Sequence, residues 1–353
     1  MTSAVRGAFD DRYEAAVKKV APRLSTWADI IGNVRAVEIL QEAIRVADME
    51  GRPMPHALLF SPPGSGKTTI SRLVARSVGG EYIETTASTL ETPQDCVRLI
   101  DRLNLGFEKT GRPSLCFIDE IHVLGQSKGR QSIDQESFYS ILDSWIFHHN
   151  LAGKSITYDD GSTWQLRGSS MHVYPCTVLG ATTEPGMLSQ PLLRRFVLQI
   201  ELEPYTEVET TKIVLGFGAQ MGWSISTEAA AVLSRYARRN PGQAYRLITM
   251  AWNRAVASGQ QEISPKIAQD VISRLGLYRL GLTGSDIRAL QLLTERPKGM
   301  GQAELSRALN VSVSTWNAIQ EPYLRFLGLV ETLSRRMITS TGRAYLEQEG
   351  LLP

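Results

Sequence analysis

Two patterns of apolar residues alternate along the chain before Pro204. Short apolar runs suit buried strands, and stretches with apolar residues at helical spacing separate them. The strands are predicted in HALLF (56–60), SLCFID (114–119) and YPCTVLGATT (174–183), and the helices in 27–50 and 70–78. Buried strands that alternate with helices are typical of a parallel sheet covered on both faces. We therefore predict an α/β domain over about 25–204.

A polar insert rich in Gly and Ser interrupts this pattern at about 150–172. Within it, ITYDDGSTWQL (156–166) predicts a β-hairpin that turns near Asp160 and Gly161. The first 24 residues are polar and mixed in charge, and we interpret them as an N-terminal arm.

The pattern changes after Pro204. Residues 205–281 carry helical spacing, which predicts an all-α domain. From 282 to 353, three helical stretches and the segment VETLSRRMITST follow, and the step ALNVSVSTW between the last two helices resembles the turn of a helix-turn-helix. Two short strands in VETLSRRMITST complete a predicted winged helix.

Composition narrows the class of protein. Of 353 residues, 42% are hydrophobic and 21% charged, with a net charge of +2, which is ordinary for a soluble globular protein. The three cysteines form no C-x-x-C pair, so we expect neither a zinc site nor a disulfide scaffold. The N-terminus lacks the apolar core of a signal peptide, and no apolar run is long enough to span a bilayer, so we expect a cytoplasmic protein.

The stretch SPPGSGKTT (61–69) lies between a predicted strand and a predicted helix. It fits the phosphate-binding pattern G-x-x-x-x-G-K-[ST], except that Ser61 replaces the first glycine. In such a loop Lys67 reaches the β- and γ-phosphates, the Thr68 hydroxyl binds Mg²⁺, and backbone N–H groups face phosphate oxygens. The predicted nucleotide contacts are Pro63, Gly64, Ser65, Gly66, Lys67, Thr68 and Thr69. The alternative is a Gly/Pro turn before a helix, which is disfavoured because strand, loop, Lys-Thr pair and helix occur in the required order.

Two acids follow the second predicted strand, in CFIDEIH (116–122). Asp119 comes about 50 residues after Lys67. In a nucleotide hydrolase with this loop, the first acid, Asp119, holds Mg²⁺ and the second, Glu120, orients and polarises the attacking water. An acid pair after an apolar run is common by chance, but its position after the loop favours the catalytic interpretation.

Polar and basic residues also follow the third predicted strand. Thr182 and Thr183, in GATTEPG, could hydrogen-bond the γ-phosphate or the water; a pair of threonines that caps a strand is the alternative. Arg194 and Arg195, in LLRRF, could act on the nucleotide of a neighbouring subunit. A surface basic pair is the alternative there.

Taken together, these motifs resemble the AAA+ ATPases, and among them the RuvB family of Holliday-junction branch-migration motors. The resemblance spans about 27–346 and is strongest in EPYLRFLGLVETLSRRMITSTGRAYL, which AAA+ proteins do not share generally. It implies ATP and Mg²⁺ as cofactors, adenine contacts from Ile30 and Ile31, and a hexameric ring around duplex DNA. It also implies that Arg195 is the finger arginine, with Arg194 in support, and that the all-α domain is a lid.

The chain departs from the family at three places. In LLRRF, Arg195 matches the last arginine of the family pattern, but Arg194 replaces an acid. In RRNPGQAYRL, Gly242 stands where the family has a sensor arginine, and Arg239 or Arg246 could substitute for it. The insert at about 150–172 differs from the hairpin with which RuvB binds RuvA, so a RuvA-like targeting partner is disfavoured, although the resemblance implies one.

The winged helix is not basic overall, but Arg335 and Arg336 lie together near the predicted wing tip. There they could contact DNA phosphates without reading sequence. A winged helix that binds only protein is the alternative. For the whole chain we expect a DNA-translocating ATPase. The alternative is an adaptor or loader that binds ATP as an assembly switch and acts on a protein, which Glu120 disfavours because a switch needs no water-activating acid.

Overall fold

The computed structural model describes residues 24, 26–124, 135–158 and 161–353. The chain forms two compact units that divide between Glu203 and Pro204, the first beginning at Leu24. The N-terminal arm expected at 1–24 lies almost wholly outside the described residues, as does Asp160 in the predicted hairpin turn.

The first unit is an α/β domain. A short 3₁₀ helix, Trp27–Asp29, precedes its first α-helix. The α-helices are α1 (Val34–Glu50), α2 (Lys67–Val78), α3 (Pro93–Thr110), α4 (Tyr139–Ser144) and α5 (Gln190–Arg195). The strands are β1 (Ala57–Phe60), β2 (Tyr82–Thr86), β3 (Ser114–Asp119), β4 (Ile146–His148), β5 (Ser155–Thr157), β6 (Thr163–Gln165), β7 (Ser170–His172), β8 (Cys176–Thr182) and β9 (Leu198–Glu201).

Five of these strands form one parallel sheet in the order β2-β3-β8-β1-β9. Phe60 at the end of β1 pairs with Thr182 at the end of β8, and Ile118 of β3 pairs with Gly180 of β8. The carboxyl ends of β3, β8 and β1 are therefore neighbours. In open parallel sheets this edge is where ligands bind.

Both faces of the sheet are covered by apolar side chains. Phe117 and Leu179 belong to a core formed with α1 and α2. Cys116 and Val178, one position away on the same strands, belong to a second core formed with α3 and α4. This alternation follows from the two-residue period of a strand and confirms the α/β fold that the apolar runs predict.

All three cysteines are free and buried in the second of these cores. Burial penalises the thiolate and so raises the pKa of Cys96 and Cys116, and it raises the pKa of Cys176 to about 12.

Two small antiparallel sheets involve the insert, and one of them includes β4, which precedes it. Strands β5 and β6 pair as a hairpin within the stretch predicted from the sequence, and β4 pairs with β7 outside that stretch. Polar contacts attach the insert to α3: Asn104 donates to the carbonyl of His172 at 2.9 Å and accepts from the Tyr174 N–H at 2.8 Å. Tyr158 donates to Asp101 of the same helix.

The second unit is mainly helical. Its helices are α6 (Glu207–Met221), α7 (Thr227–Tyr236), α8 (Pro241–Ala257), α9 (Pro265–Arg274), α10 (Gly284–Glu295), α11 (Gln302–Ala308), α12 (Val313–Thr315), α13 (Glu321–Phe326) and α14 (Ser340–Gln348). A π-helix, Trp316–Gln320, joins α12 to α13. The strands are β10 (Ser224–Ile225), β11 (Glu262–Ile263), β12 (Val330–Thr332) and β13 (Arg336–Ile338).

Strands β12 and β13 form the antiparallel wing that VETLSRRMITST predicts. The parallel contact of β10 with β11 within the helical part has no counterpart in the sequence prediction. Trp316, at the end of the predicted helix-turn-helix step ALNVSVSTW, is completely buried in the core of the winged helix.

Candidate nucleotide site

The loop between β1 and α2 turns at two glycines with positive φ. Gly64 has a φ of 79° and Gly66 a φ of 103°, values that residues with a side chain rarely adopt. Helix α2 begins directly after this turn, at Lys67. The segment is therefore a strand, a loop and a helix N-terminus, the geometry with which backbone N–H groups bind phosphate.

The Lys67 side chain is buried and folds back over the loop. Its ammonium donates to the carbonyl of Ser61 at 2.9 Å and to that of Pro62 at 3.3 Å. Burial lowers the pKa of Lys67, although the charges of Glu120 and Asp119 oppose this shift. If a phosphate were bound, its oxygens would replace these two carbonyl oxygens as acceptors of the Lys67 ammonium.

The φ angle of Ser61 is not positive, so its backbone does not have the left-handed conformation that would require glycine. The Ser61 hydroxyl also lies 3.4 Å from the Lys67 ammonium. The unusual first residue of the loop is thus compatible with the phosphate-binding conformation.

Asp119 and Glu120 stand at the carboxyl end of β3. Asp119 is the last residue of the strand and accepts the Glu120 N–H at 3.0 Å. Burial raises the pKa of Asp119; the hydrogen bond from the Glu120 N–H opposes this shift, and the charge of Glu120 adds to it. Burial and a neighbouring acid both disfavour the charged form of Asp119. A bound cation would stabilise that charged form, so the position suits a metal ligand.

The donor set fits Mg²⁺. The Thr68 hydroxyl and the Asp119 carboxylate are hard oxygen ligands of the kind that Mg²⁺ accepts together with phosphate oxygens. Thr68 and Thr69 occupy the first turn of α2, half-buried. The metal role of Thr68 and Asp119 stays a prediction.

The end of β8 brings Thr183 against Glu120. The Thr183 hydroxyl donates to Oε2 of Glu120 at 3.1 Å, and the Thr183 N–H lies 3.4 Å from the same oxygen. Thr182, whose side chain is buried, contacts His122 instead, with 2.9 Å between Oγ1 and Nδ1. The structure therefore places Thr183 beside the predicted base. The sequence interpretation did not include His122.

Ile30 and Ile31 precede α1 and are half-buried, with Ile30 packed against the core. Asn33 fixes this segment: its amide accepts the Glu203 N–H at 2.8 Å and donates to the Glu203 carbonyl at 3.3 Å. The adenine contact expected of the two isoleucines stays a prediction. Asn33 was missed, because its partner lies 170 positions later in the chain.

The two adjacent arginines of α5 differ in their surroundings. Arg195 donates to Asp143 at 2.8 Å, forms an ion pair with it and stacks 4.1 Å from the Tyr139 ring centre. Arg194 is exposed. Arg195, the predicted finger, therefore interacts with residues of its own chain, whereas Arg194 lies at the surface.

The predicted DNA contacts also differ from each other. Arg335 is exposed and pairs with Glu304 at 2.9 Å. Arg336 faces inward, with 16% of its side chain exposed, and donates to buried Glu321 at 3.1 Å. A DNA contact by Arg336 would require this pair to break, so the geometry favours the prediction for Arg335 alone.

Gly242 lies in the first turn of α8, which the Asn240 side chain caps by accepting the Gln243 N–H at 3.1 Å. Of the two suggested substitutes for the missing arginine, Arg239 lies 5.4 Å from the ring centre of Phe326. Arg246 is exposed and lies one helical turn after Gly242, on the same helix face.

A five-stranded parallel sheet with a phosphate loop after β1 and an acid pair after β3 defines a P-loop NTPase domain. Residues 22–202 match the family model described as the Holliday junction DNA helicase RuvB P-loop domain, and residues 279–347 match the RuvB C-terminal winged helix domain. The chain belongs to the RuvB family.

Relatives and solved structures agree with this assignment. The chain is 32% identical over 346 residues to the Holliday junction branch migration complex subunit RuvB of Synechococcus sp. (strain CC9311), covering 96% of this chain and 89% of the relative. The protein of that name from Pseudothermotoga lettingae is 30% identical, with 92% and 89% covered. The structure titled Thermotoga maritima RuvB Holliday junction branch migration motor superimposes with a TM-score of 0.75 at 26% identity, covering 92% of this chain and 98% of that one.

Proposed function

We propose that this protein is an ATP-driven motor that moves duplex DNA and drives branch migration of Holliday junctions. The observation that carries the proposal is the meeting of the phosphate loop, Asp119, Glu120 and Thr183 at one edge of a RuvB-type sheet. A protein that used ATP only as an assembly switch would not need Glu120 at the carboxyl end of β3.

The residues of this site have distinct tasks. The backbone of 64–69 and Lys67 bind and orient the phosphates. Thr68 and Asp119 would hold Mg²⁺, which would neutralise charge on the phosphates. The oxygen of water bonds to the γ-phosphorus as the bond from that phosphorus to ADP breaks. The proton of the water passes to Glu120, and the products are ADP and phosphate.

Assembly and partners follow from the same proposal. In a ring of six subunits that encloses duplex DNA, Arg195 of one subunit leaves its pair with Asp143 and reaches the nucleotide of the next subunit. Arg335 supplies a contact to the phosphate backbone that does not depend on sequence. Within the part of the chain that the structure describes, no helix has both the length and the apolar character of a membrane span. We place the protein in the cytoplasm with DNA.

ATP hydrolysis measured with and without a four-way DNA junction tests the proposal. We expect the junction to stimulate hydrolysis, and a junction of labelled strands to be separated in an ATP-dependent manner. The variant Lys67→Ala should do neither, while Arg235→Ala, an exposed lid variant, should match the wild type. A rate of ATP hydrolysis that DNA does not change, or ATP binding without hydrolysis, would contradict the motor function.

A further inference from the structure

The polar contacts of the Glu120 carboxylate converge on one oxygen. Oε2 lies 3.1 Å from the Thr183 hydroxyl, 3.4 Å from the Thr183 N–H and 3.2 Å from Nδ1 of His122. Among the described residues, none donates a hydrogen bond to Oε1. One carboxylate oxygen is therefore anchored, and the other remains available to water.

His122 reaches this oxygen from a buried position. Only 10% of its side chain is exposed. The same Nδ1 atom lies 2.9 Å from the hydroxyl oxygen of Thr182, which also accepts the Glu184 N–H at 3.0 Å. The Thr182 hydroxyl is thus held by the backbone on one side and faces the imidazole on the other.

The carboxylate determines which nitrogen of His122 carries hydrogen. A bare Nδ1 would accept from the Thr182 hydroxyl, and its lone pair would then also lie 3.2 Å from Oε2, which is repulsive when Glu120 is ionised. With hydrogen on Nδ1, the ring donates to the Thr182 hydroxyl oxygen at 2.9 Å and presents a positive N–H 3.2 Å from Oε2. The geometry therefore favours an imidazole that donates toward the acid.

The backbone of Glu120 is itself constrained. Its φ of 49° and ψ of 45° are left-handed values, which residues with a side chain adopt only when their surroundings enforce them. The 3₁₀ turn Ile121–Val123 follows at once and carries His122. The backbone conformation and the histidine are consequently parts of the same turn, and both orient the acid.

We propose that His122 is a positioning residue for Glu120. Its Nδ1–H, together with the Thr183 hydroxyl, holds Oε2 and turns Oε1 toward the attacking water. The inference rests on the proposed ATPase function and assigns His122 no contact with the nucleotide. Loss of the donor should lower kcat about ten- to a hundredfold, the effect expected for one hydrogen bond to a charged group.

A matched pair of variants tests the position of the donor. In His122→Asn the side-chain amide nitrogen takes the place of Nδ1, whereas in His122→Gln it reaches the region of Nε2. We expect the Asn variant to keep most of the wild-type kcat, and we expect kcat of the Gln variant to fall about ten- to a hundredfold. Both should bind a non-hydrolysable ATP analogue with wild-type affinity, because neither changes the phosphate loop.

A double-mutant comparison separates positioning from a general structural effect. In a Glu120→Gln background the base is already absent, so His122→Gln should cause no further loss of the residual rate. An equal loss in both backgrounds would overturn the inference, as would a wild-type or raised kcat in His122→Gln.

The wild-type control keeps the two proposals distinct. If the wild-type protein hydrolyses ATP and both His122 variants equal it, only the role of His122 is wrong. If the wild-type protein does not hydrolyse ATP, the proposed function fails, and the inference fails with it.

Discussion

The guanidinium of Arg238 lies 4.8 Å from the ring centre of Tyr323, linking the helical part of the second unit to its winged helix. The same side chain donates to the Gly281 carbonyl at 2.9 Å and pairs with Asp286, whose side chain is fully buried. Because only 14% of the Arg238 side chain is exposed, this cation lies inside the junction between the two parts.

Arg238→Ala should destabilise the second unit by about 3–5 kcal/mol, because it leaves the Asp286 carboxylate buried without its cation. Hydrogen exchange followed by mass spectrometry would detect the loss as faster exchange on both sides of the junction. The matched control is Arg235→Ala on the preceding helix, which breaks an exposed pair with Glu207. That pair should contribute no more than about 1 kcal/mol. Equal exchange in the two variants would contradict this account.

The buried acid of the winged helix should make its stability depend on pH. Burial raises the pKa of Glu321, but hydrogen bonds from Thr332, Arg336 and Trp316 outweigh it and lower the pKa overall. The stabilisation is therefore complete above the ordinary glutamate pKa of about 4.3, and is lost as pH falls through the lowered folded value.

Comparison of the wild type with Glu321→Gln checks this dependence. The variant should show faster hydrogen exchange in the wing at pH 7, and the difference should shrink below about pH 4. Glu304→Gln is the control, because Glu304 pairs with Arg335 at the surface. A difference that does not change with pH would show that the charge of Glu321 is not responsible.

Ser61→Gly should change the dissociation constant for ATP by less than about threefold, or roughly 0.7 kcal/mol. The backbone at Ser61 does not need glycine, and the closer contact to Lys67 comes from the main-chain carbonyl, which glycine retains. Isothermal titration calorimetry provides the measurement, with Lys67→Ala as the variant that loses affinity. A tenfold change would mean that the serine hydroxyl takes part in binding.

If Arg195 acts on a neighbouring subunit, two inactive variants should complement each other. Arg195→Ala should lower kcat by at least about 10³-fold, the usual effect of losing an arginine finger. Mixed with Glu120→Gln, which keeps the arginine but lacks the base, it should regain hydrolysis at mixed interfaces. ATPase rate against mixing ratio is the measurement. A linear average of the two variants would exclude action in trans, and Arg194→Ala should lose far less alone.

A glycine of the last helix permits a close backbone contact in the winged helix. A Cβ atom at Gly342 would lie 2.3 Å from the Leu329 carbonyl oxygen. Gly342→Ala should therefore cost about 1–3 kcal/mol, as overpacking does elsewhere. Gly284→Ala is the matched control, because its Cβ would meet no atom within 4 Å. Urea denaturation of both variants compares them, and equal midpoints would contradict the contact.

The sequence predicts those strands that are buried on both sides. Strands β1, β3 and β8 occupy the middle of the sheet and appear as continuous apolar runs. Strands β2 and β9 were missed, because they lie at the edges and mix apolar with polar residues, as in YIETT and LQIE. An edge strand does not have the apolar run on which the prediction depends.

Prediction of the site from the sequence has the same limit. The phosphate loop and the acid pair are local motifs, so the sequence reveals them. The contact of His122 with Thr182 joins residues 60 positions apart, and the pairing of Arg336 with Glu321 depends on how the wing folds over its helix. Adjacency in the sequence suggests that Arg335 and Arg336 act alike, but Arg335 lies just before strand β13 and pairs with Glu304, whereas Arg336 begins the strand and faces Glu321.

The three buried cysteines have a practical consequence for observing this molecule at work. Thiolates are the species that react with maleimide dyes. Burial disfavours the thiolate form of all three cysteines. A single cysteine introduced on an exposed strand or helix would thus be labelled selectively while the natural thiols stay in place. Fluorophores attached in this way to the hairpin or the wing could report distances during turnover, and labelling of the natural thiols would signal unfolding.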